Sequence, residues 1–347
     1  MVGVNIGVDL GTTSVMVYEE GKGIVMSEAS TLAYSTETKK ILAIGSKAYN
    51  MIGRAPDSIK VVRPLKDGVV SDFTATRQLL GSFLQKICKN RVFKPNIVIC
   101  VPSGITNLEK RTIMDLITSA GAAKACMIEE PLAAAIGAGV DTNDIRGRMV
   151  VDIGGGTTDI AVVTKGAISV SKSIKVAGNS FDRAIMRQIK RERDIVIGEL
   201  TAEDIKKRIG FATLNNEEIG IAAKGKEFLT GMPVNFEVTS TEVFLAIRES
   251  LEQIVEAIRS VFEMTLPELT ADIYDTGIIV TGESAKLRGI DKYFEKRLGV
   301  KTVIADDPKN CVIKGTGIVL KNPEKMVNYH FKSRNDMKFS GGIANGL

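Results

Sequence analysis

Apolar and polar positions along this chain separate into short, nearly continuous apolar runs bounded by glycine-rich turns, and longer runs of helical period. The run Ile6-Gly7-Val8-Asp9-Leu10 gives way to Gly11-Thr12-Thr13-Ser14 and then to Val15-Met16-Val17, which predicts a buried strand, a tight turn and a second strand. A second stretch repeats the design as Met149-Val150-Val151-Asp152-Ile153, Gly154-Gly155-Gly156-Thr157-Thr158-Asp159 and Ile160-Ala161-Val162. In each, an Asp closes the first strand, glycines let the backbone approach a ligand, and a Thr-Thr pair sets hydroxyls beside exposed amides. Two such hairpins predict duplicated lobes that face each other. A third element, Ile278-Ile279-Val280-Thr281-Gly282-Glu283-Ser284 through Ile290, reads as a buried strand, a turn and a helix start.

Helical period is clearest where Thr239 and Glu242 stand at capping-box spacing before Val243, Phe244, Ile247, Leu251, Ile254, Val255, Ile258, Val261 and Phe262, a long helix with its apolar face on the core. Glu129-Glu130-Pro131 precedes Leu132 to Ala138 with the acids and proline that favour a first helical turn. Thr201 is expected to cap a further helix, with Asp204 completing a box-like arrangement and Glu203 and Lys206 sharing one face at i, i+3.

Composition narrows the function. The chain has 347 residues, 44% hydrophobic and 25% charged, enough for more than one core. No apolar run reaches the length of a bilayer span, and the first residues enter a strand pattern without the basic start and apolar stretch of a secretory signal. Cys88, Cys100, Cys126 and Cys311 lack the spacing of a zinc site or disulfide framework, which points to a reducing cytoplasm. The net charge of +5 is spread among acids rather than gathered into a basic stripe, so no nucleic-acid partner is expected. One histidine, His330, excludes a histidine-based triad or a multi-histidine metal site.

Phosphates held between two Asp/Gly/Thr turns would meet backbone N–H groups from both sides, with Asp9 and Asp152 holding the hydration shell of a magnesium ion. No G-x-x-x-x-G-K-[ST] occurs and the glycine-rich stretch runs on into a strand, which excludes Walker and Rossmann sites. The alternative is a pair of ordinary tight hairpins; their matched design favours a ligand site.

In this order, the three elements resemble the phosphate-1, phosphate-2 and adenosine motifs of the superfamily that unites actin, heat-shock chaperones and sugar kinases. Arg63-Pro64-Leu65-Lys66-Asp67-Gly68-Val69, Val101-Pro102-Ser103-Gly104, Glu129-Glu130-Pro131-Leu132-Ala133-Ala134-Ala135-Ile136-Gly137 and Ala177-Gly178-Asn179-Ser180-Phe181-Asp182 narrow the resemblance to the bacterial MreB family, from Val4 to about Pro323. The resemblance implies an α/β, actin-like ATPase fold of two duplicated lobes, each a mixed central sheet flanked by helices, with four subdomains around a nucleotide cleft. Residues 1–30, 79–145 and about 318–347 would form subdomain IA, 31–78 subdomain IB, 146–182 with 240–317 subdomain IIA, and 183–239 subdomain IIB.

The same resemblance implies ATP or ADP with Mg2+ as cofactors, slow ATP hydrolysis, and head-to-tail protofilaments that help set cell shape from the cytoplasmic, inner face of the cell membrane. It makes Glu130 the water-orienting glutamate, working with the Thr157 hydroxyl, although an acid at a helix start needs no catalytic role. Nucleotide contacts would come from Gly11, Thr12, Thr13, Gly154, Gly155, Gly156, Thr157, Thr158, Gly178, Gly282, Glu283 and Ser284. Glu203 and Lys206 would reach ribose and adenine, or form a solvated ion pair on a surface helix.

Two turns depart from the family. Thr13-Ser14-Val15 stands where MreB proteins usually carry Ala-Asn-Thr, and Gly282-Glu283-Ser284 replaces a run of glycines, which bears on hydrolysis rate and base selectivity. Val92 and Phe93, flanked by Arg91 and Lys94, are either a membrane-contact loop or buried against the lobe, and Lys325, Lys332, Arg334 and Lys338 form a weakly basic, flexible tail. A membrane-anchored cytoskeletal adaptor is a further expected partner. Competing functions are a filament scaffold with little turnover, a small-molecule kinase on the same fold, and a chaperone ATPase, for which the chain is expected to lack a substrate domain.

Overall fold

The computed structural model describes residues 4–89, 94–214 and 217–321 together with the strand Lys332–Ser333. Val92 and Phe93, His330 and the basic tail apart from that strand lie outside the described residues. Lys332–Ser333, in the stretch expected to be a flexible end, pairs antiparallel with the outer strand of the first sheet.

The lobes are copies of one design. In the first sheet the order is Gly23–Ala29, Ser14–Glu19, Asn5–Leu10, Asn96–Val101, Lys124–Glu129. Its first three strands form an antiparallel meander, and the last two run parallel to Asn5–Leu10. The second sheet runs Ala167–Ile174, Thr158–Thr164, Arg148–Ile153, Ile278–Thr281, Thr302–Ile304 with the same senses throughout. Both central strands are buried on two faces, which is why they read as apolar runs without alternation.

Strand register corrects one detail of the expected repeat. Leu10 pairs with Val15 and Ile153 with Thr158, so the turns are residues 11–14 and 154–157. Each closes with the same bond, Gly11 N–H to the Ser14 carbonyl and Gly154 N–H to the Thr157 carbonyl, both 3.0 Å. Thr12 and Thr13 are therefore equivalent to Gly155 and Gly156, not to Thr157 and Thr158. The two Thr-Thr pairs do not coincide, because the second turn spends its middle positions on glycine.

The lobes are joined through a third core in which Val98, Cys100 and Ile128 of one sheet meet Val150 and Val163 of the other, around the helices Glu130–Gly137 and Cys311–Lys321. These helices cross at backbone contact. A Cβ at Gly137 would lie 1.8 Å from the Cys311 carbonyl oxygen, and one at Gly315 1.8 Å from that of Ala133.

Each lobe carries a small insertion. In the first, Leu32–Ser35 pairs with Ile41–Ile44 and Ile59–Val62; in the second, Gly220–Glu227 pairs with Ile195–Val196 and Pro233–Thr239. The helix Ser240–Met264 starts with the expected capping box, Thr239 accepting from Glu242 N–H and the Glu242 side chain from Thr239 N–H. The cap expected at Thr201 is not formed. That helix spans Glu199–Ile209 with Gly198 at its N-cap, because Gly198 is extended and Glu199 already supplies the first-turn acid. Among the described residues no helix is long and apolar enough to cross a membrane.

Candidate functional site

The two hairpin turns interdigitate where the lobes face each other. A Cβ at Gly156 would lie 2.4 Å from Thr12 Oγ1, and one at Gly155 2.3 Å from Thr13 Cγ2. Because Thr12 is equivalent to Gly155 and Thr13 to Gly156, these contacts are related by an approximate two-fold: the threonines of one turn fill the space that the glycines of the other leave free. Ser30, fully buried, fixes the first turn by donating to the Gly11 carbonyl at 2.6 Å and, through its N–H, to the Thr13 carbonyl at 2.9 Å.

A third turn wedges in. Asp67 and Gly68 have φ of 50° and 78° and connect the two-residue strands Leu65–Lys66 and Val69–Val70, a hairpin in which both central residues are left-handed. Gly68 N–H donates to Thr12 Oγ1 at 2.9 Å, and a Cβ there would sit 2.8 Å from Thr157 Cγ2.

Behind the turns is a cluster of carboxylates. Asp9 and Asp152 end the equivalent strands and are nearly buried, and Thr281 donates to Asp152 Oδ1 at 2.6 Å. Burial pushes both acids up to about 7. Asp159, opposite Asp152 in the hairpin, accepts from Ser103 N–H at 3.1 Å; burial raises it to about 6, while Ser103, Ser173 and Thr157 favour its charged form. Glu130 begins the crossing helix and keeps part of its surface open. Desolvation, then the charges of Asp159, Asp9 and Asp152, hold its carboxyl well above the usual range. Asp159 is thus part of a site that sequence reading left it out of; its only local signal was its place beside Thr157-Thr158 in the second hairpin.

The donors fit a hard divalent cation, since all are carboxylate oxygens that burial keeps short of counter-charge. Among the described residues no three or more such side chains form a group that could ligate an ion directly.

In front of the turns opens a cleft of about 670 Å³. Of the expected residues Thr13, Gly155, Gly178, Glu203, Lys206, Glu283 and Ser284 line it, whereas Gly11, Thr12, Gly154, Gly156, Thr157, Thr158, Gly282, Asp9, Asp152 and Glu130 do not; Thr12 and Gly156 are packed on each other beside it. Ser284 Oγ donates to the Gly154 carbonyl at 2.7 Å and lies 2.6 Å from where Gly178 would carry a Cβ, so it joins the third element to the second turn. Gly282, at φ 88°, packs against Ile153, where a Cβ would meet the carbonyl oxygen at 2.3 Å. The Thr158 hydroxyl is committed elsewhere: it donates to the Val176 carbonyl at 2.6 Å from a fully buried side chain, so it is not offered to the cleft.

Glu203 and Lys206 both face the cleft, and the solvated pair considered between them is not formed. Lys206 Nζ lies 2.7 Å from Asp182 and donates to the Gly178 carbonyl at 3.0 Å, while Glu203 pairs with Lys207 at 2.7 Å and accepts from Tyr49. Tyr49 carries no signal in the sequence, and Arg63 and Asp182 stand there only within family motifs with no site role, because each gains its role from a partner distant along the chain.

The model of the family described as MreB/Mbl protein matches residues 3–328. The cell shape-determining protein Mbl of Bacillus subtilis is 45% identical over 325 residues, covering 93% of this chain and 97% of that protein. The cell shape-determining protein MreB of Escherichia coli K12 is 38% identical over 332 residues, or 94% of each chain. Among solved structures, MreB5 of Spiroplasma citri bound to ADP superposes with a TM-score of 0.90 at 38% identity, covering 93% of this chain and 98% of that one. The MamK double helical filament superposes with a TM-score of 0.81 at 21% identity, over 92% of this chain and 99% of that one, a likeness of fold. Facing hairpins on duplicated sheets, the glycine-crossed helices and a match over nearly the whole length have one common explanation: this chain is an actin-like protein of the MreB/Mbl cell-shape family.

Proposed function

We propose that the chain binds ATP with Mg2+ in the cleft, hydrolyses it slowly, and assembles head to tail into protofilaments at the inner face of the cell membrane. The interlocked turns, Thr12 on Gly156 and Thr13 on Gly155, carry the reading, because a phosphate chain reaching them would meet amides of both lobes at once. Its occupancy would then set the angle between the lobes, and with it the angle between the faces that stack in a polymer. The structures of MreB5 bound to ADP and to AMPPNP, 38% and 37% identical to this chain, support a nucleotide as the ligand.

Asp9 and Asp152, with Asp159 behind them, would hold the hydrated cation, whose chemistry is to neutralise charge developing on the phosphates. Glu130 would orient the attacking water, and desolvation together with the charges of Asp159, Asp9 and Asp152 raises its carboxyl's affinity for a proton. Thr157 would support that water from the second turn. Thr13 and Gly155 would line the phosphates, Lys206 and Glu203 the sugar and base, and Ser284 the base side of the cleft. The four subdomains would follow the boundaries given above, with one small insertion in each lobe.

The test compares the native chain with Glu130→Ala by ATP-dependent pelleting, electron microscopy and phosphate release. Filaments that persist while release falls about 100-fold or more support the proposal. A chain that forms no filament with any nucleotide, yet transfers phosphate to a sugar, overturns it in favour of a kinase.

A further inference from the structure

The insertions of the two lobes meet across the mouth of the cleft. Tyr49 ends the short helix Ser46–Tyr49 of the first lobe, and its hydroxyl donates to Glu203 on helix Glu199–Ile209 of the second. Arg63, from the same first-lobe insertion, pairs with Glu199 at 2.9 Å and lays its guanidinium 5.6 Å from the centre of the Tyr49 ring. Glu199 and Glu203 stand one helical turn apart, so both carboxylates present to the same neighbour. All four side chains line the cleft, which sets these contacts over its contents.

Each group is held in the charge state the contacts need. Burial and the Glu203 carboxylate push the Tyr49 hydroxyl above the usual phenol range, so it remains a donor. Hydrogen bonds from Lys207 and Tyr49 outweigh burial and hold Glu203 below the usual carboxylate range, so it remains an acceptor. At the base of the cleft the lobes are already joined by the crossed helices and the interlocked turns. A body pinned at its base and bridged at its mouth opens only when the bridge breaks.

We propose that Tyr49–Glu203 and Arg63–Glu199 form a clasp that gates the cleft, setting how fast a nucleotide enters and leaves. The clasp rests on the nucleotide reading above. Its kinetic signature differs from that of a ligand contact: a gate slows entry and exit by the same factor and leaves the equilibrium constant unchanged, whereas loss of a ligand contact accelerates exit alone.

The experiment is stopped-flow binding of a fluorescent ADP analogue to the full chain, native and carrying Tyr49→Phe, Glu199→Gln, both together, or the charge swap Arg63→Glu with Glu199→Arg. Each single change is expected to raise both rate constants about 3- to 10-fold with the dissociation constant held within twofold, the pair to raise them further, and the swap to recover slow exchange. Faster exit with proportionally weaker binding would overturn the clasp and make these residues ligand contacts; unchanged rates would overturn it outright. Hydrogen exchange without nucleotide supplies a separate arm, in which Tyr49→Phe should speed exchange in the peptide 199–210 on the opposite lobe. If the native chain binds no ADP, the nucleotide reading fails while this arm still decides whether the bridge holds the lobes together.

Discussion

Thr12 packs on Gly156 so closely that a Cβ on the glycine would lie 2.4 Å from the threonine hydroxyl oxygen and 2.7 Å from its Cβ. The second distance matters more, because a Cβ is tied to the backbone and cannot swing aside. Gly156→Ala is therefore expected to push the turns apart. Overpacking of this kind costs about 1–3 kcal/mol, and if the strain falls on the closed state, adenine-nucleotide affinity should drop about 5- to 150-fold. Calorimetric titration of the folded variant measures it; native affinity would show that the turns need not touch.

The buried carboxylates predict an unusual pH dependence for the ligand-free protein. Asp9 and Asp152 ionise at about 7 and Asp159 at about 6, against 3.8 for an ordinary Asp. Between pH 4 and 7 the folded chain binds more protons than the unfolded one, so stability falls as pH rises through that window and stays low above it. Lowering pH from 8 to 5.5 should raise the melting temperature by about 2–4 °C for each kcal/mol recovered. Glu130→Gln should raise it at pH 8, and magnesium with ATP should flatten the profile. Scanning calorimetry checks all three, and a melting temperature no higher at pH 5.5 than at pH 8 contradicts the cluster.

Gly315→Ala tests the joint between the lobes. A Cβ there would sit 1.8 Å from the Ala133 carbonyl oxygen, a contact between two backbones that no rotamer change relieves. The helices must separate and expose the core that couples the lobes, at a cost above about 3 kcal/mol. Loss of soluble, cooperatively melting protein is the expected result, read by circular dichroism; Gly81→Ala, in the helix Phe73–Ile87 with nothing within 4 Å of its added methyl, should melt cooperatively at or slightly above the native temperature.

Ser284→Ala removes the 2.7 Å bond to the Gly154 carbonyl that ties the third element to the second turn. A neutral hydrogen bond contributes about 0.5–1.5 kcal/mol, so nucleotide should bind about 2- to 12-fold more weakly with the overall melt little changed. Ser284→Gly should behave alike if the hydroxyl matters, and better than native if the side chain merely crowds the cleft. Binding titrations of the two variants separate these outcomes.

The elements and their duplication were legible in the chain because they depend on neighbours in sequence: apolar runs closed by Asp-Gly turns at 9–11 and 152–154, and a capping box at Thr239 and Glu242. Family resemblance then pointed to Thr13, Gly155, Gly178, Glu203, Lys206, Glu283 and Ser284, a minority of the residues that line the cleft. Local rules misled where two signals competed: Thr201 has the chemistry of a cap, but Gly198 lies earlier in an extended conformation and the helix starts there. The Thr-Thr pairs stand in similar places in the two sequence stretches, yet only strand pairing shows that Thr12 corresponds to Gly155. Tertiary structure alone brought Asp159 beside Glu130, set Gly68 against Thr12, and carried Tyr49 across to Glu203. Hydrogen bonding and desolvation act over a few ångströms, and distance along a folded chain says nothing of that separation.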